Sequence, residues 1–156
     1  MTEPSALVDA VRGLSRIARV VEHETEDLSV ADYRVLSIIV SGEGRASRLA
    51  SRLALGKPTI SATVDSLVRR GLLVRSSVPG DNRATALSLS ELGAELLERV
   101  EARMARQLEL LSERTPDPQQ VITSLTWLGE AIEAAIAERL ERMAKADRVA
   151  KAGEPT

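Results

Sequence analysis

Apolar residues recur at helical spacing along most of the chain, long helical seams occupy both ends, and a basic segment between them alternates short helices with a hairpin. Together these predict a mainly α (α+β) fold: a winged helix-turn-helix core with a two-strand wing, flanked by N- and C-terminal dimerisation helices. The 156 residues give room for one compact domain, or for a small domain with a dimerising appendage. Phe is absent and Tyr33 and Trp127 are the only aromatic residues. Leu, Val, Ile and Ala must therefore fill the core, which favours helices packed through aliphatic seams.

The first helix is expected from Ser5 to about Glu26, because Leu7, Val11, Leu14, Ala18 and Val21 follow one another at intervals of 4, 3, 4 and 3. Asp27 to Val30 interrupts this pattern, and Asp32 can cap a short second helix carrying Val35, Leu36, Ile38 and Ile39. Ser41-Gly42-Glu43-Gly44 ends it. Leu49, Leu53 and Leu55 mark a third helix, and Gly56-Lys57-Pro58 opens a fourth, with Pro58 suited to the first helical position. The fourth helix buries Ile60, Val64, Leu67 and Val68 along one stripe, and Gly71 stands where a C-terminal glycine stops a helix.

Leu73 to Val78 and Ala84 to Leu89 read as two strands joined by Pro79-Gly80-Asp81-Asn82-Arg83. A fifth helix starts at Ser90 and Glu91 and runs to about Arg114, with Leu92, Leu96, Val100, Met104, Leu108 and Leu111 inside. Thr115-Pro116-Asp117-Pro118 breaks it. A last helix, from about Pro118 to Lys145, carries Val121, Leu125, Leu128, Ile132, Ile136 and Leu140. The expected organisation is thus an N-terminal dimerisation helix over 1–30, a winged domain over 31–90, C-terminal dimerisation helices over 91–146 and a disordered tail over 147–156. Leu7, Val11, Leu14, Val121, Leu125, Leu128 and Ile132 are the expected dimer contacts, since seams this long exceed what so small a core can cover.

Charge is concentrated where the hairpin and short helices lie. Between Gly42 and Ser90 stand eight basic residues (Arg45, Arg48, Arg52, Lys57, Arg69, Arg70, Arg75, Arg83) against Glu43, Asp65 and Asp81, a local net of +5 in a chain whose total is −2. A basic module inside an acidic protein is the footprint of an anionic partner, here double-stranded DNA. The fourth helix would present Lys57, Pro58, Thr59, Ser61, Ala62, Thr63 and Ser66 to the duplex, flanked by Arg48 and Arg75. At the hairpin tip, Arg83 beside Asn82 suits the minor groove, and Asp81 suits the orientation of an arginine better than a phosphate contact. The plainer alternative is a set of solvated residues on an ordinary surface helix.

The run Leu49-Ala50, Lys57-Pro58-Thr59-Ile60-Ser61, Leu67-Val68-Arg69-Arg70-Gly71-Leu72, Asp81-Asn82-Arg83 and Leu89-Ser90 with Gly93 resembles the MarR family of transcriptional regulators. The family's wing signature is Asp-x-Arg, then Leu-Thr and a glycine; Ser90 stands here in place of Thr. The resemblance implies a homodimer on a pseudo-palindromic operator, most often a repressor, with the recognition helix in the major groove and the wing in the minor groove. It implies base contacts from Thr59, Ser61, Ala62, Thr63 and Ser66, backbone contacts from Lys57 and Pro58, and a minor-groove contact from Arg83. Gly56 replaces a frequent capping serine, and Ala62 stands where several relatives have a longer reader. The resemblance also implies release by a small anionic or aromatic effector bound between the dimerisation helices and the winged core. Arg16, His23, Tyr33 and Arg34 are the candidate lining residues. Each has a plainer role: Tyr33 in the core or at a hinge, His23 exposed, Arg16 and Arg34 solvated or paired.

Other classes find little support. The chain has no cysteine, so disulfides, thiolate catalysis and thiol sensing are excluded. A single His makes a zinc centre a poor expectation, and no cofactor or metal is expected. Gly56-Lys57 is followed by Pro58 and has Ser51 where a phosphate-binding loop needs its first glycine, and no His-Glu-x-x-His surrounds His23, so no enzyme is expected. No apolar run reaches membrane-spanning length and no signal segment opens the chain, which leads to the expectation of a cytoplasmic protein. The remaining rival is a winged-helix module that binds protein without sequence-specific DNA binding.

Overall fold

A computed structural model describes residues 3–25, 28–42, 46–53, 56–78 and 81–152. Its elements are α1 (Pro4–Glu22), a 3₁₀ turn (His23–Thr25), α2 (Val30–Val40), α3 (Ala46–Leu53), α4 (Lys57–Arg69), β1 (Leu73–Val78), β2 (Asp81–Leu89), α5 (Glu91–Ser112) and α6 (Pro118–Ala152). The mainly helical winged fold expected from the sequence is the observed one. The chain divides into two compact units, 1–111 and 112–156.

In the first unit, α2, α3, α4, the two strands and the start of α5 enclose one aliphatic core. Val35 and Leu36 of α2, Leu49 of α3, Leu67 of α4 and Val100 of α5 are its fully buried members. The stripe of α4 is seated as its spacing requires, with Ile60, Val64 and Leu67 buried and Val68 half-buried against the core. The antiparallel strands pair from Leu73↔Leu89 to Ser77↔Thr85.

Several boundaries differ from expectation for local reasons. The regular part of α1 stops at Glu22 and tightens into the 3₁₀ turn, where the Thr25 hydroxyl donates to the Glu22 carbonyl at 2.8 Å; Glu26 and Asp27 lie outside the described residues. Asp32 is not the cap of α2. Ser29 is, its Oγ accepting the Asp32 N–H at 3.1 Å while Asp32 Oδ2 accepts the Ser29 N–H at 3.1 Å, a complete capping box. Lys57 takes the first position of α4 and Pro58 the second, where its missing N–H is equally harmless. The second strand starts at Asp81 rather than Ala84, because the register slips between Ser77 and Val78 and Val78 pairs with Asp81. The last helix continues to Ala152 instead of ending at Lys145, so 147–152 is helical and not a disordered tail; 153–156 lie outside the described residues.

The end of α4 carries the densest set of constraints. Gly71 has φ +71°, the Leu72 N–H donates to the Leu67 carbonyl at 2.9 Å, and the Gly71 N–H donates to the Val68 carbonyl at 3.0 Å. This is a full Schellman stop, with Leu72 and Leu67 both in the core. Ser90 then bridges back: its hydroxyl donates to the Gly71 carbonyl at 2.5 Å, its N–H to the Leu72 carbonyl at 3.1 Å, and its Oγ accepts the Gly93 N–H at 3.0 Å. Gly93 lies so close to Leu72 that a Cβ there would overlap the Leu72 carbonyl oxygen. The Leu-Ser-…-Gly ending of the wing is therefore a packing requirement of the α4–α5 junction.

The second unit is dominated by α6, whose start is prepared by the Asp117 carboxylate accepting the Gln120 N–H at 2.9 Å. None of the described α6 residues is buried.

Gly93→Ala is expected to destabilise the protein by about 1 to 3 kcal/mol, the usual penalty for forcing a group into a packed site. A lower urea midpoint with unchanged slope would show it; an unchanged midpoint would mean that α5 can shift away from Leu72.

Candidate nucleic-acid interface

Burial of Ile60, Val64 and Leu67 turns the opposite side of α4 outward. Lys57, Pro58, Thr59, Ser61 and Ala62 are exposed, and Thr63 and Ser66 are half-buried at its margins. All seven expected α4 contacts are thus brought to one helix and its accessible sides. The Thr63 hydroxyl donates to the Thr59 carbonyl at 3.0 Å, so its proton is used within the helix. Gly56 caps α4 with extended backbone and no side-chain hydrogen bond, as a glycine must.

Arg75 of β1 does not stand alone beside this face. Its Nη2 donates to Asp65 of α4 at 2.5 Å, and both side chains are about half exposed. Asp65 was not foreseen from the sequence, because nothing in the spacing of residues ten apart announces a contact between a helix and a strand. The pair ties the wing to the recognition helix and neutralises a carboxylate that would otherwise repel phosphate. Asp81, Asn82 and Arg83 occupy the first positions of β2, after the register slip; their side chains, and that of Arg48 in α3, lie outside the described residues.

Behind the face, Arg70 Nη1 donates to Asp32 Oδ2 at 3.0 Å, with only 12% of the Asp32 side chain exposed. The same carboxylate oxygen serves the capping box of α2. The end of α4 is thereby fastened to the start of α2.

The four candidate effector residues are spread over three elements. Arg16 lies on an open groove of about 770 Å³ along α1, together with Arg12, Arg19 and Glu22. Arg34 approaches the same end of α1 through an ion pair with Glu22 at 3.2 Å. His23 is exposed in the 3₁₀ turn. Tyr33 instead packs half-buried against the core. Burial raises its hydroxyl pKa above the ordinary tyrosine value, and the Glu101 carboxylate of α5 raises it further. Burial also raises the Glu101 pKa. Arg103 donates from Nε and Nη2 to the Glu24 carbonyl at 3.3 and 3.1 Å, joining the 3₁₀ turn to α5.

A sequence model of the MarR family matches residues 26–84, which span α2 to the wing. The match covers the winged core, more than a third of the chain, and it is this segment that resembles the MarR family. A relative named as a transcriptional regulatory protein for the hcr operon of Thauera aromatica is 30% identical over 97 residues, 62% of this chain and 58% of that protein, so the match spans little more than half of the relative's length. The crystal structure of the PcaV transcriptional regulator from Streptomyces coelicolor with its natural ligand is 26% identical, with a TM-score of 0.60 over 86% of this chain and 94% of that one. A mutant of S. aureus MepR bound to an oligodeoxyribonucleotide shares the fold at 18% identity, with a TM-score of 0.59 over 85% of this chain and 99% of that one. The curated relatives that the chain matches are named as transcriptional regulators. No helix among the described residues is long and apolar enough to cross a membrane.

Two outcomes follow from the ion pairs. Asp65→Ala frees Arg75 for phosphate, so affinity for non-specific duplex should rise and its logarithmic salt slope should steepen by about one unit; a fall in affinity would mean that the pair's ordering of the wing outweighs the freed charge. Because Tyr33 is the sole tyrosine, tyrosinate absorbance reads it directly. Glu101→Gln should lower its titration midpoint, since a neighbouring negative charge is removed, while leaving it above the free value through burial; an unmoved midpoint would remove Glu101 from its surroundings.

Proposed function

We propose that this chain is a homodimeric regulator of transcription that binds duplex DNA, acting in the cytoplasm as a repressor on a pseudo-palindromic operator and leaving it when a small anionic or aromatic effector binds. The observation that carries this is the α4 face: a helix seated by its apolar stripe, with Lys57 at its exposed N-terminal end and small hydroxyl residues along its accessible sides. In this reading α4 enters the major groove and Arg83 reaches the minor groove from the wing. The net of +5 between Gly42 and Ser90 supplies the affinity for phosphate.

Dimerisation is supported by what the chain leaves uncovered. No residue of α1 is buried, and Leu7 and Val11 are 56% and 67% exposed. Leu14 on α1 and Leu128 and Ile132 on α6 are likewise exposed, with Val121 and Leu125 half-buried. Such seams on a water-soluble monomer are unfavourable, and a two-fold partner would cover them while matching the symmetry of a palindromic site. Residues 1–30 and 91–146 would then form the dimer and 31–90 the reading head. Release by effector requires a ligand that binds the incompetent arrangement better. The Arg16 groove and its Glu22–Arg34 end are the proposed place.

Binding to non-specific duplex should fall steeply with salt, and Arg83→Ala should flatten the slope by about one unit. Leu7→Glu with Val11→Glu should convert dimer to monomer in sedimentation and abolish operator binding while leaving the winged core folded. Salt-independent behaviour, or no DNA binding by a folded dimer, would instead support a protein-binding module.

A further inference from the structure

Which bases α4 reads is constrained by what its exposed side lacks. From Pro58 to Val68 there is no Arg, Lys, Asn or Gln, the side chains that make bidentate contacts with guanine or adenine in the major groove. The one charged residue in that stretch, Asp65, is turned towards Arg75 at 2.5 Å on the wing side of the helix, and a carboxylate in any case reads cytosine and not guanine or adenine. Ser61, Ser66 and Thr59 carry hydroxyls, which donate to or accept from any base edge and discriminate weakly. The Thr63 proton is already given to the Thr59 carbonyl. Ala62 is exposed near the middle of the helix face directly away from the Ile60–Val64–Leu67 stripe. Its Cβ offers the groove an apolar contact and nothing else.

The major-groove feature that rewards an apolar contact is the C5-methyl group of thymine. Resting on the DNA-binding reading above, we infer that α4 specifies its half-site through thymine methyl groups, with Ala62 as the discriminating side chain, and not through hydrogen bonds to guanine. An operator read this way has T·A pairs under the centre of α4. Its discrimination is modest at each position, since one buried methyl group is worth about a fourfold change in affinity. The bare groove surface beside so short a side chain also lets the helix lie close to the base edges.

The test starts from the full-length protein and a random duplex pool. Bound sequences are selected, and each thymine of the enriched half-site is then replaced singly by deoxyuridine, which removes the methyl group and leaves every hydrogen-bonding atom in place. We expect one or two thymines per half-site at which the replacement weakens binding about fourfold. In Ala62→Gly the ratio of thymine to deoxyuridine affinity at one of them should fall towards one. The ratio is the readout, so a general loss of affinity in the variant does not imitate the result, and the effect in the unsubstituted protein needs no variant. Enriched half-sites centred on guanine, or thymines whose replacement changes nothing, would overturn the inference while leaving DNA binding intact. Enrichment of no sequence above non-specific binding would overturn sequence-specific DNA binding and the inference with it.

Discussion

The structure hangs on three consecutive residues, Arg70-Gly71-Leu72, at the point where the recognition helix stops. Between them they bind α2 and the start of α5. Arg70 reaches Asp32 at the head of α2, the Gly71 carbonyl receives the Ser90 hydroxyl, and the Leu72 carbonyl receives the Ser90 N–H while lying against Gly93. Only a left-handed residue permits this reversal, and Gly71 adopts it at φ +71° without the penalty a side chain would bring. Because α4, β1 and α5 all meet at this junction, the angle of α4 relative to the wing and to α5 is set by hydrogen bonds at the junction and not by loops.

The same constraint separates the parts of the protein by chemistry. Apolar burial holds the head together from within, through Leu36, Leu49, Leu67 and Val100. On its outer side the recognition helix is left with small polar groups and one neutralised carboxylate. The Asp65–Arg75 pair is a surface contact of small energetic value, yet on the proposed function it decides how much positive charge the wing offers to a phosphate. On that proposal stability and recognition fall to opposite faces of a single helix of thirteen residues.

Much of this was legible in the sequence, and the reasons are periodic. The α4 stripe, the helical seams of α1 and α6, the stop at Gly71 and the two strands each follow from local spacing. What escaped was non-local or reciprocal. Asp32 reads as a cap because its short carboxylate before an apolar run suits one, but Ser29 one turn earlier is the cap, and Asp32 closes the box while also taking Arg70. Asp81-Asn82-Arg83 has turn chemistry and reads as a loop, whereas the register slip at Val78 draws Asp81 into the ladder. Ser90 and Gly93 were visible as a signature; that they are required by the Leu72 carbonyl needed coordinates. The candidate effector residues lie near one another in sequence, and Tyr33 separates from the rest because its environment is set by burial and by Glu101 on α5, far away in sequence.

The central claim is that a junction already rigid in the free protein holds an open α4 face against DNA. Amide hydrogen exchange with and without duplex DNA tests it most directly. The Leu72, Ser90 and Gly93 amides should be as protected in the free protein as Val64 and Leu67 in the core, and DNA should add protection at the start of α4 and along β1 and β2 while leaving the junction unchanged. Junction amides that exchange at loop rates until DNA is added, or an α4 that gains no protection from DNA, would contradict it.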